Sequence, residues 1–335
     1  MDLLTQTVLG AGVGELVLGK KAGNKAILWG AIGGLIPDMD VLFTFLFSEV
    51  DGLFAHRGFT HSLFFPFIIA PILGWLIFQI HKRSTSVTKF EWTKLIFWAA
   101  FTHPLLDYFT GYGTGAFYPL SNYRVEFSTI GIIDVFYTIP FILVLLVIPF
   151  LKRTALLRRR LIVTTILVST MYLLGTVGNK LYVNAMFKKG LAAHNISYDR
   201  LKTSPLPITN FLWMGLAETE TGYHMALYSN FDKDIPADFI FIPRNEDKLL
   251  SFGDNEDLNK LIRFSKGFYH VNEDDKGLYL ADLRFGKMGT SDNADFIFKF
   301  YLTNKNGQLA IHQNTESRSF EENDFSKFIE RIKGI

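Results

Sequence analysis

The fold is decided by HRGFTHSLFFPFIIAPILGWLIF, residues 56–78, in which a polar motif runs directly into an apolar segment of membrane length. Crossing a bilayer takes about 20 mostly apolar residues, and this segment predicts a span at 60–80. Two further apolar segments contain acids or histidines, in PDMD (residues 37–40) and THPLLD (residues 102–107). Charged side chains at membrane depth cost about 2.5–3.5 kcal/mol each, so those that are kept usually have a function.

Composition changes along the chain, near residue 180. Of the 335 residues, 49% are hydrophobic and 20% are charged, but long apolar runs dominate only the N-terminal part. The length and this break predict two domains, residues 1–180 in the membrane and residues 195–335 outside it. Cysteine is absent, which excludes thiolate metal sites and cysteine nucleophiles. No stripe of basic residues interleaved with aromatics is present, so a nucleic-acid partner is not expected.

The apolar runs predict a polytopic α-helical membrane domain of about five to six helices. The predicted spans are 3–19, 26–46, 60–80, 94–110, 130–151 and 161–179. Basic residues concentrate in the loops after the first, third and fifth spans, and by the positive-inside rule these loops are cytoplasmic; they hold Lys20, Lys21, Lys25, Lys82, Arg83, Lys89, Lys94, Lys152, Arg153, Arg158, Arg159 and Arg160. The chain is therefore predicted to be a multi-pass protein of the inner (plasma) membrane, with its C-terminal domain extracytoplasmic.

This topology places the polar motifs at one level of the membrane, on its outer side. His103 and Asp107 are four residues apart on a predicted helix, so they share a face and could bind one ion. Asp38 and Asp40 follow GGLIP, a sequence typical of a broken helix, whose unwound turn could let both carboxylates face one cavity. Alternatively, one acid binds metal while the other caps a helix or supports a ligand. Asp134 lies in an apolar run and needs either a metal or a protein partner.

The motif HRGFTH adds two histidines and an arginine at the outer entrance of the third span. His56 and His61 are predicted as metal ligands, although both could be solvated in an interfacial loop. Arg57 and Arg124 could bind a substrate anion, and a snorkelling role at the interface is the alternative for Arg124. Asp40 is predicted as a ligand or a general base. Histidines and carboxylates without cysteine suit Zn²⁺ best, with Mn²⁺ or Fe²⁺ as alternatives and two ions as a further option.

Together, these motifs resemble those of the YdjM/YbcI-type membrane-bound metal-dependent hydrolases. The similarity lies in MDLLTQTVLGAGVGEL, LIPDMD, HRGFTHSLFF and FWAAFTHPLLDYFTGYGT, and it covers residues 1–180, with a looser similarity at SPLPITNFLW. A more distant resemblance links the pattern to the zinc-dependent phospholipase C and S1/P1 nuclease group. The resemblance implies a divalent-metal hydrolase whose ligands fall among Asp38, Asp40, His56, His61, His103 and Asp107. Relatives commonly have histidine where this chain has Gln6.

The C-terminal part predicts a small α+β domain. FLWMGLAETET, GYHMALYSNF and DFIFIPR are predicted strands, and GFYHV pairs with GLYLADLRF across a DDKG turn. A second hairpin is predicted through 304–307, and an amphipathic helix at the end of the chain. This domain either caps the membrane site or binds a partner independently.

The sequence thus predicts an integral-membrane hydrolase that cleaves an ester or phosphoester with a metal-activated water at the outer membrane face. A site at this depth favours a lipid or lipid-linked substrate. The alternatives are a transporter or metal-handling protein, and a regulatory relative without activity. The oligomeric state is left open.

Overall fold

The computed structural model describes residues 1–287, 295–305, 308–314 and 322–335. The chain divides into two compact units. The first comprises Met1–Leu46, Ala55–Val177 and Pro207–Thr209, and the second comprises Phe47–Phe54, Gly178–Leu206 and Asn210–Ile335. The break falls within one long helix, so this helix contributes residues to both units.

Helices form the N-terminal half of the described chain. In order they are α1 (Leu3–Ala22), α2 (Asn24–Leu35), α3 (Glu49–Ala55), α4 (Phe65–His81), α5 (Lys89–Asp107), α6 (Val135–Val147) and α7 (Leu156–Ala193). A 3₁₀ helix, Ile36–Leu46, continues α2 after the GGLIP sequence, and short 3₁₀ turns lie at Phe59–His61 and Ile148–Phe150.

Fewer of these helices qualify as membrane spans than the sequence predicts. Among the described residues, two helical segments are long and apolar enough to cross a membrane, Asn24–Leu46 and Leu156–Ala193. A third qualifies if Glu49–His61 and Phe65–His81, which are bent by 65° from each other, form one broken span. Helices overlap all six predicted segments, but the predicted number of five to six spans is not confirmed.

Glycines bring α1 and α2 into backbone contact. A Cβ atom added to Gly10 would lie 2.4 Å from the carbonyl oxygen of Gly30, and one added to Gly14 would lie 2.2 Å from that of Ala26. Only glycine permits this approach, which resembles the small-residue interfaces of membrane helices. The contact fixes the end of α2, at Gly34, beside the first turns of α1.

The other helices of the first unit pack on this pair. On α5, Trp92, Leu95 and Ile96 are fully buried. Asp134 is the N-cap of α6: it accepts hydrogen bonds from the backbone N–H groups of Phe136 and Tyr137. Its other carboxylate oxygen accepts from the Tyr172 hydroxyl at 2.8 Å. The partners of Asp134 are therefore protein groups.

The second unit contains two antiparallel four-stranded sheets. The first has the order β1–β2–β3–β4 and the second β5–β6–β7–β8. Their bounds are Arg200–Pro205, Leu212–Glu218, Gly222–Ser229 and Ile240–Pro243 for the first sheet, and Tyr269–Asp274, Gly277–Asp282, Lys299–Lys305 and Gln308–Gln313 for the second. Two further helices follow β4 and β8, α8 (Glu256–Phe264) and α9 (Glu322–Ile332).

The strands agree with most of the sequence-based expectations. The hairpin across DDKG is present, with Asp274 paired to Gly277. Strands β7 and β8 pair as predicted, while residues 306–307 of the predicted turn lie outside the described residues. The sequence analysis missed β1 and α8. Strand β2 is buried throughout, and its Gly215 leaves room for the ring of Phe187 from the C-terminal part of α7.

Candidate metal centre

One residue from each polar motif meets in a buried cluster in the first unit. The ligand-type atoms of Asp38, His61 and His103 all lie within 4.8 Å of one another. The two Nε2 atoms of the histidines are 3.1 Å apart. The Oδ1 atom of Asp38 lies 3.1 Å from Nε2 of His61 and 3.5 Å from Nε2 of His103. Both histidines are buried, and the side chain of Asp38 is 10% exposed.

The hydrogen bonds of the two Nδ1 atoms define which histidine nitrogens carry hydrogen. In His103, Nδ1 donates to the carbonyl oxygen of Gly34 at 2.6 Å. In His61, Nδ1 lies 3.0 Å from the hydroxyl oxygen of Thr60, which itself donates to Asp40 Oδ2 at 2.7 Å. The hydroxyl oxygen is thus free to accept from His61. In the neutral imidazoles, both Nε2 atoms therefore present lone pairs to each other.

Asp107 presents a further electron-pair donor to the two histidines. Its Oδ2 atom lies 3.5 Å from Nε2 of His61 and 3.6 Å from Nε2 of His103. This oxygen is buried and accepts no hydrogen bond from the residues that the structure describes. Oxygens and nitrogens that converge without an intervening hydrogen repel each other unless a cation lies between them.

The separations fit a divalent metal ion. Around a tetrahedral zinc ion with bonds of about 2.0–2.1 Å, neighbouring ligand atoms are about 3.3–3.4 Å apart. The five distances given above, between the two histidine Nε2 atoms and from each of them to Asp38 Oδ1 and Asp107 Oδ2, run from 3.1 to 3.6 Å. Two imidazole nitrogens with carboxylate oxygens also suit Mn²⁺ or Fe²⁺. Asp38, His61 and His103 could therefore hold one such ion, and Asp107 lies close to both histidines.

Asp40 supports the cluster from the other side of the His61 ring. Its Oδ1 atom lies 2.8 Å from His56 Nδ1. Its Oδ2 atom accepts from the backbone N–H of Arg57 and from Thr60. A carboxylate that orients a ligand histidine through its second nitrogen is a common feature of metal sites. Of the two alternatives for the PDMD acids, the structure thus shows one acid in the cluster and the other beside it.

The break between α2 and the 3₁₀ helix gives the two acids these different positions. Pro37 has no N–H to donate to the preceding turn, and the Gly34 carbonyl oxygen accepts from His103. The tighter 3₁₀ winding then carries the chain through Asp38 and Asp40. As a result, the first acid faces Nε2 of His61 and the second faces its Nδ1.

His56 and Arg57 occupy the loop before the third predicted span. His56 binds Asp40 and lies outside the cluster of Asp38, His61 and His103, with its side chain 23% exposed. Arg57 has a left-handed backbone conformation, with φ of 59°, which is unusual for a residue other than glycine. Its buried side chain lies with Nε 3.5 Å from Asp107 Oδ2 and donates from Nη1 to Thr110.

Arg124 links two loops beside the site. It donates to the backbone carbonyl oxygens of Gly113 and His56, at 3.1 and 3.0 Å. The guanidinium carbons of Arg57 and Arg124 lie 4.8 and 5.9 Å from the centre of the Tyr112 ring. Both arginines therefore contact protein groups, and their predicted anion-binding roles stay predictions.

Gln6 orients Asp107. Its Nε2 atom donates to Asp107 Oδ1 at 3.1 Å and lies 3.3 Å from the His103 carbonyl oxygen. The backbone nitrogen of Met1 is 2.5 Å from the same carboxylate oxygen. These contacts leave Oδ2 of Asp107 directed at the histidines.

Sequence reasoning missed the groups that orient the ligands. These groups are the Thr60 hydroxyl, which contacts Asp40 and His61, and the Gly34 carbonyl oxygen, which contacts His103. The GGLIP sequence indicates that the Gly34 carbonyl oxygen is available, because a proline after a helix frees carbonyl groups of the last turn.

Apolar helices of membrane length and a buried Asp/His cluster define the class, a helical membrane protein with a polar centre. The family model for the YdjM inner membrane protein matches residues 1–182. The chain belongs to this family.

Two relatives support the assignment. The chain is 34% identical to the inner membrane protein YbcI of Escherichia coli (strain K12) over 126 residues. This match covers 35% of this chain and 70% of YbcI. It is 27% identical over 143 residues to YfhP of Bacillus subtilis (strain 168), covering 41% of this chain and 42% of YfhP. No solved structure matches the chain.

Proposed function

We propose that this protein is an inner-membrane hydrolase that depends on a divalent metal, Zn²⁺ in the first instance, and cleaves an ester or phosphoester. The observation that carries the proposal is the 3.1 Å separation of the Nε2 atoms of His61 and His103, whose Nδ1 atoms contact the Thr60 hydroxyl and the Gly34 carbonyl oxygen. A proton shared between the two Nε2 atoms would satisfy only the contact between the histidines. A divalent ion bound by both histidines would also satisfy the Asp38 oxygen that lies 3.1 and 3.5 Å from their Nε2 atoms.

An ion held by Asp38, His61 and His103 would lower the pKa of a bound water molecule and polarise the bond to be cleaved. The protein contributes a partly exposed imidazole beside the cluster. His56 holds a hydrogen on Nδ1 through its bond to Asp40 Oδ1, so its Nε2 is the atom that can accept a proton. The ring centres of His56 and His61 are 5.7 Å apart. In this proposal His56 is the general base, and Asp40 orients it.

The surface beside the site favours a lipid or lipid-linked substrate. The 3₁₀ helix that carries Asp38 and Asp40 continues into exposed apolar side chains. Phe43 and Phe45 are 56% and 78% exposed. Such a surface is suited to acyl chains rather than to water. With the loop charges read by the positive-inside rule, the site and the C-terminal domain both lie on the outer side of the membrane.

Metal analysis of the purified protein tests the proposal. We expect about one divalent ion per chain in the wild type, and loss of the ion in Asp38→Ala and His103→Ala. His81→Ala is the matched control, because His81 pairs with Trp29 and lies outside the cluster. A wild-type protein without bound metal would overturn the proposal.

The hydrolase part has its own test. Metal-loaded protein is incubated with p-nitrophenyl esters, bis(p-nitrophenyl) phosphate and lipid extracts. Product that forms only with metal supports hydrolysis. Bound metal without any product would favour the alternative of a metal-handling protein.

A further inference from the structure

A second polar region lies in the first unit and shares no residue with the metal centre. It is a cavity of about 360 Å³. Its walls are the C-terminal part of α1, the start of α5, and the loop and first turns of α7, and its charged lining residues are Glu15, Lys20, Lys21, Glu91, Arg153 and Arg159. By the positive-inside rule, this region faces the cytoplasm.

Glu15 in the cavity wall forms a buried ion pair with Arg158. Glu15 accepts from Nε and Nη2 of Arg158 at 2.7 and 2.6 Å, and both side chains are almost fully buried. Gly19 makes room for the pair, because a Cβ atom there would lie 2.2 Å from Glu15 Oε1. Arg158 also donates to the carbonyl oxygen of Leu151. The start of α7 is thereby fixed to α1.

Backbone contacts hold the basic loop in place. Arg153 donates to the carbonyl oxygen of Lys21 at 3.0 Å. Asn24 donates to that of Pro149, also at 3.0 Å. The loop between α6 and α7 is therefore attached to the turn between α1 and α2 from both sides. These hydrogen bonds hold the backbone of the cavity wall in place without a bound ligand.

The charges around the cavity favour an anion. Among the described lining residues only Glu15 and Glu91 are acids, and Arg158 and Lys21 neutralise them. This leaves the positive charges of Lys20, Arg153 and Arg159 in the wall. The first turn of α7 also lines the cavity, and a helix N-terminus adds partial positive charge from its free N–H groups.

We infer that this cavity binds a phosphate group, and that the phosphate belongs to an anionic phospholipid of the cytoplasmic leaflet. The volume suits a headgroup rather than a whole lipid. Exposed apolar side chains stand beside it for the acyl chains: Leu156 on α7 is 61% exposed and Phe150 before it is 89% exposed. Basic pockets between membrane helices on the cytoplasmic side are known to take lipid headgroups.

Equilibrium binding of radiolabelled phosphatidylglycerol to the full chain in detergent micelles tests the inference. The test variant is Lys20→Gln/Arg159→Gln, since both side chains are exposed and lie in the cavity wall. The control is Lys82→Gln/Arg83→Gln, which removes the same charge from another predicted cytoplasmic loop. We expect binding about thirtyfold weaker in the test variant, and little change in the control. Thermal unfolding checks that all three proteins are folded.

Competition then identifies the source of the phosphate. If millimolar inorganic phosphate displaces the lipid, the site accepts the phosphate group itself. If it does not, the glycerol and acyl parts are required. Both results support a phosphate site in the cavity. Unchanged lipid binding in the test variant, or an equal loss in the control, would overturn the inference.

Discussion

His61 and His103 face each other through their Nε2 atoms at 3.1 Å, and each ring is oriented from behind by its own acceptor. His103 is held by the Gly34 carbonyl oxygen and His61 by Thr60 and Asp40. Because the acceptors take the Nδ1 hydrogens, the arrangement is preorganised for a cation. Two different breaks in regular structure produce it, the end of α2 and the loop before α4.

Metal removal should therefore destabilise the protein. A ligand at 100 times its dissociation constant adds about 2.7 kcal/mol to the stability of the state that binds it. We expect EDTA to lower the unfolding temperature of the wild type and Zn²⁺ to restore it. In His61→Ala, neither EDTA nor Zn²⁺ should change the unfolding temperature.

The matched control for this experiment is His194→Ala. His194 is an exposed histidine of the second unit, and its Nδ1 donates to the carbonyl oxygen of Gly190. This variant should keep the full response to EDTA and Zn²⁺. An identical response in His61→Ala and the wild type would contradict the assignment of His61 as a ligand.

Thr60 should affect metal affinity without binding metal. Thr60→Val keeps the shape of the side chain and removes the hydroxyl that links His61 to Asp40. Loss of a group that orients a ligand typically weakens metal affinity by about 10–100-fold. Isothermal titration with Zn²⁺ measures this. Thr60→Ser keeps the hydroxyl and should bind metal with an affinity close to that of the wild type.

Gln6 should stabilise both the fold and the site. Gln6→Leu removes the donor to Asp107 Oδ1 in a buried environment, which should cost about 1–3 kcal/mol of unfolding free energy. Metal affinity should fall as well, since Asp107 loses a group that fixes its orientation. Gln79→Leu on α4, an exposed position, should change neither quantity. Equal metal affinity in Gln6→Leu and the wild type would show that Asp107 needs no support from α1.

The proximity of the three polar motifs could be expected from the sequence, because charge counting placed them at one membrane level. The different positions of Asp38, in the cluster, and Asp40, beside it, could not be predicted from the sequence. They depend on the rotation of each residue around a 3₁₀ helix, and a sequence with GGLIP indicates a break in the helix without indicating the winding that follows. Thr60 was missed for a similar reason: hydroxyl groups are common in loops, and only the positions of Asp40 and His61 give this one a role.

The number of membrane spans shows another limit of sequence reasoning. Hydropathy alone predicts a span wherever an apolar run is long enough. In the structure α6 ends at Val147, and Val135–Phe150 is a shorter apolar helix. The break before α4 separates Glu49–His61 from Phe65–His81, which are bent by 65° from each other, and the predicted span 60–80 begins at this break. Strand β1 was missed because its sequence, RLKTSP, has no apolar alternation.

A substitution of His56 should reduce hydrolysis without reducing metal binding. If it is the general base, His56→Gln should retain the metal and lose about 10²–10⁴-fold in the rate of metal-dependent hydrolysis. Glutamine can still donate to Asp40, so the loop should stay folded. Metal content and product formation are measured on the same sample. Loss of the metal in this variant would instead make His56 a ligand, as the sequence analysis predicts, and full activity would exclude it as the base.

The contact between α1 and α2 should be as sensitive as the ligands themselves. In Gly30→Ala, the new Cβ atom would lie 2.4 Å from the Gly10 carbonyl oxygen and 2.8 Å from the Gly14 Cα atom. Backbone cannot yield locally, so the two helices must separate, at a cost of about 1–3 kcal/mol. Because Gly34 orients His103 from the same helix, metal affinity should fall together with the unfolding temperature. In the matched control Gly175→Ala on α7, no atom of the described residues lies within 4 Å of the new Cβ position, so metal affinity should stay unchanged and the unfolding temperature should be preserved or slightly raised. If Gly30→Ala behaves like this control, the close approach of the helices does not position the site.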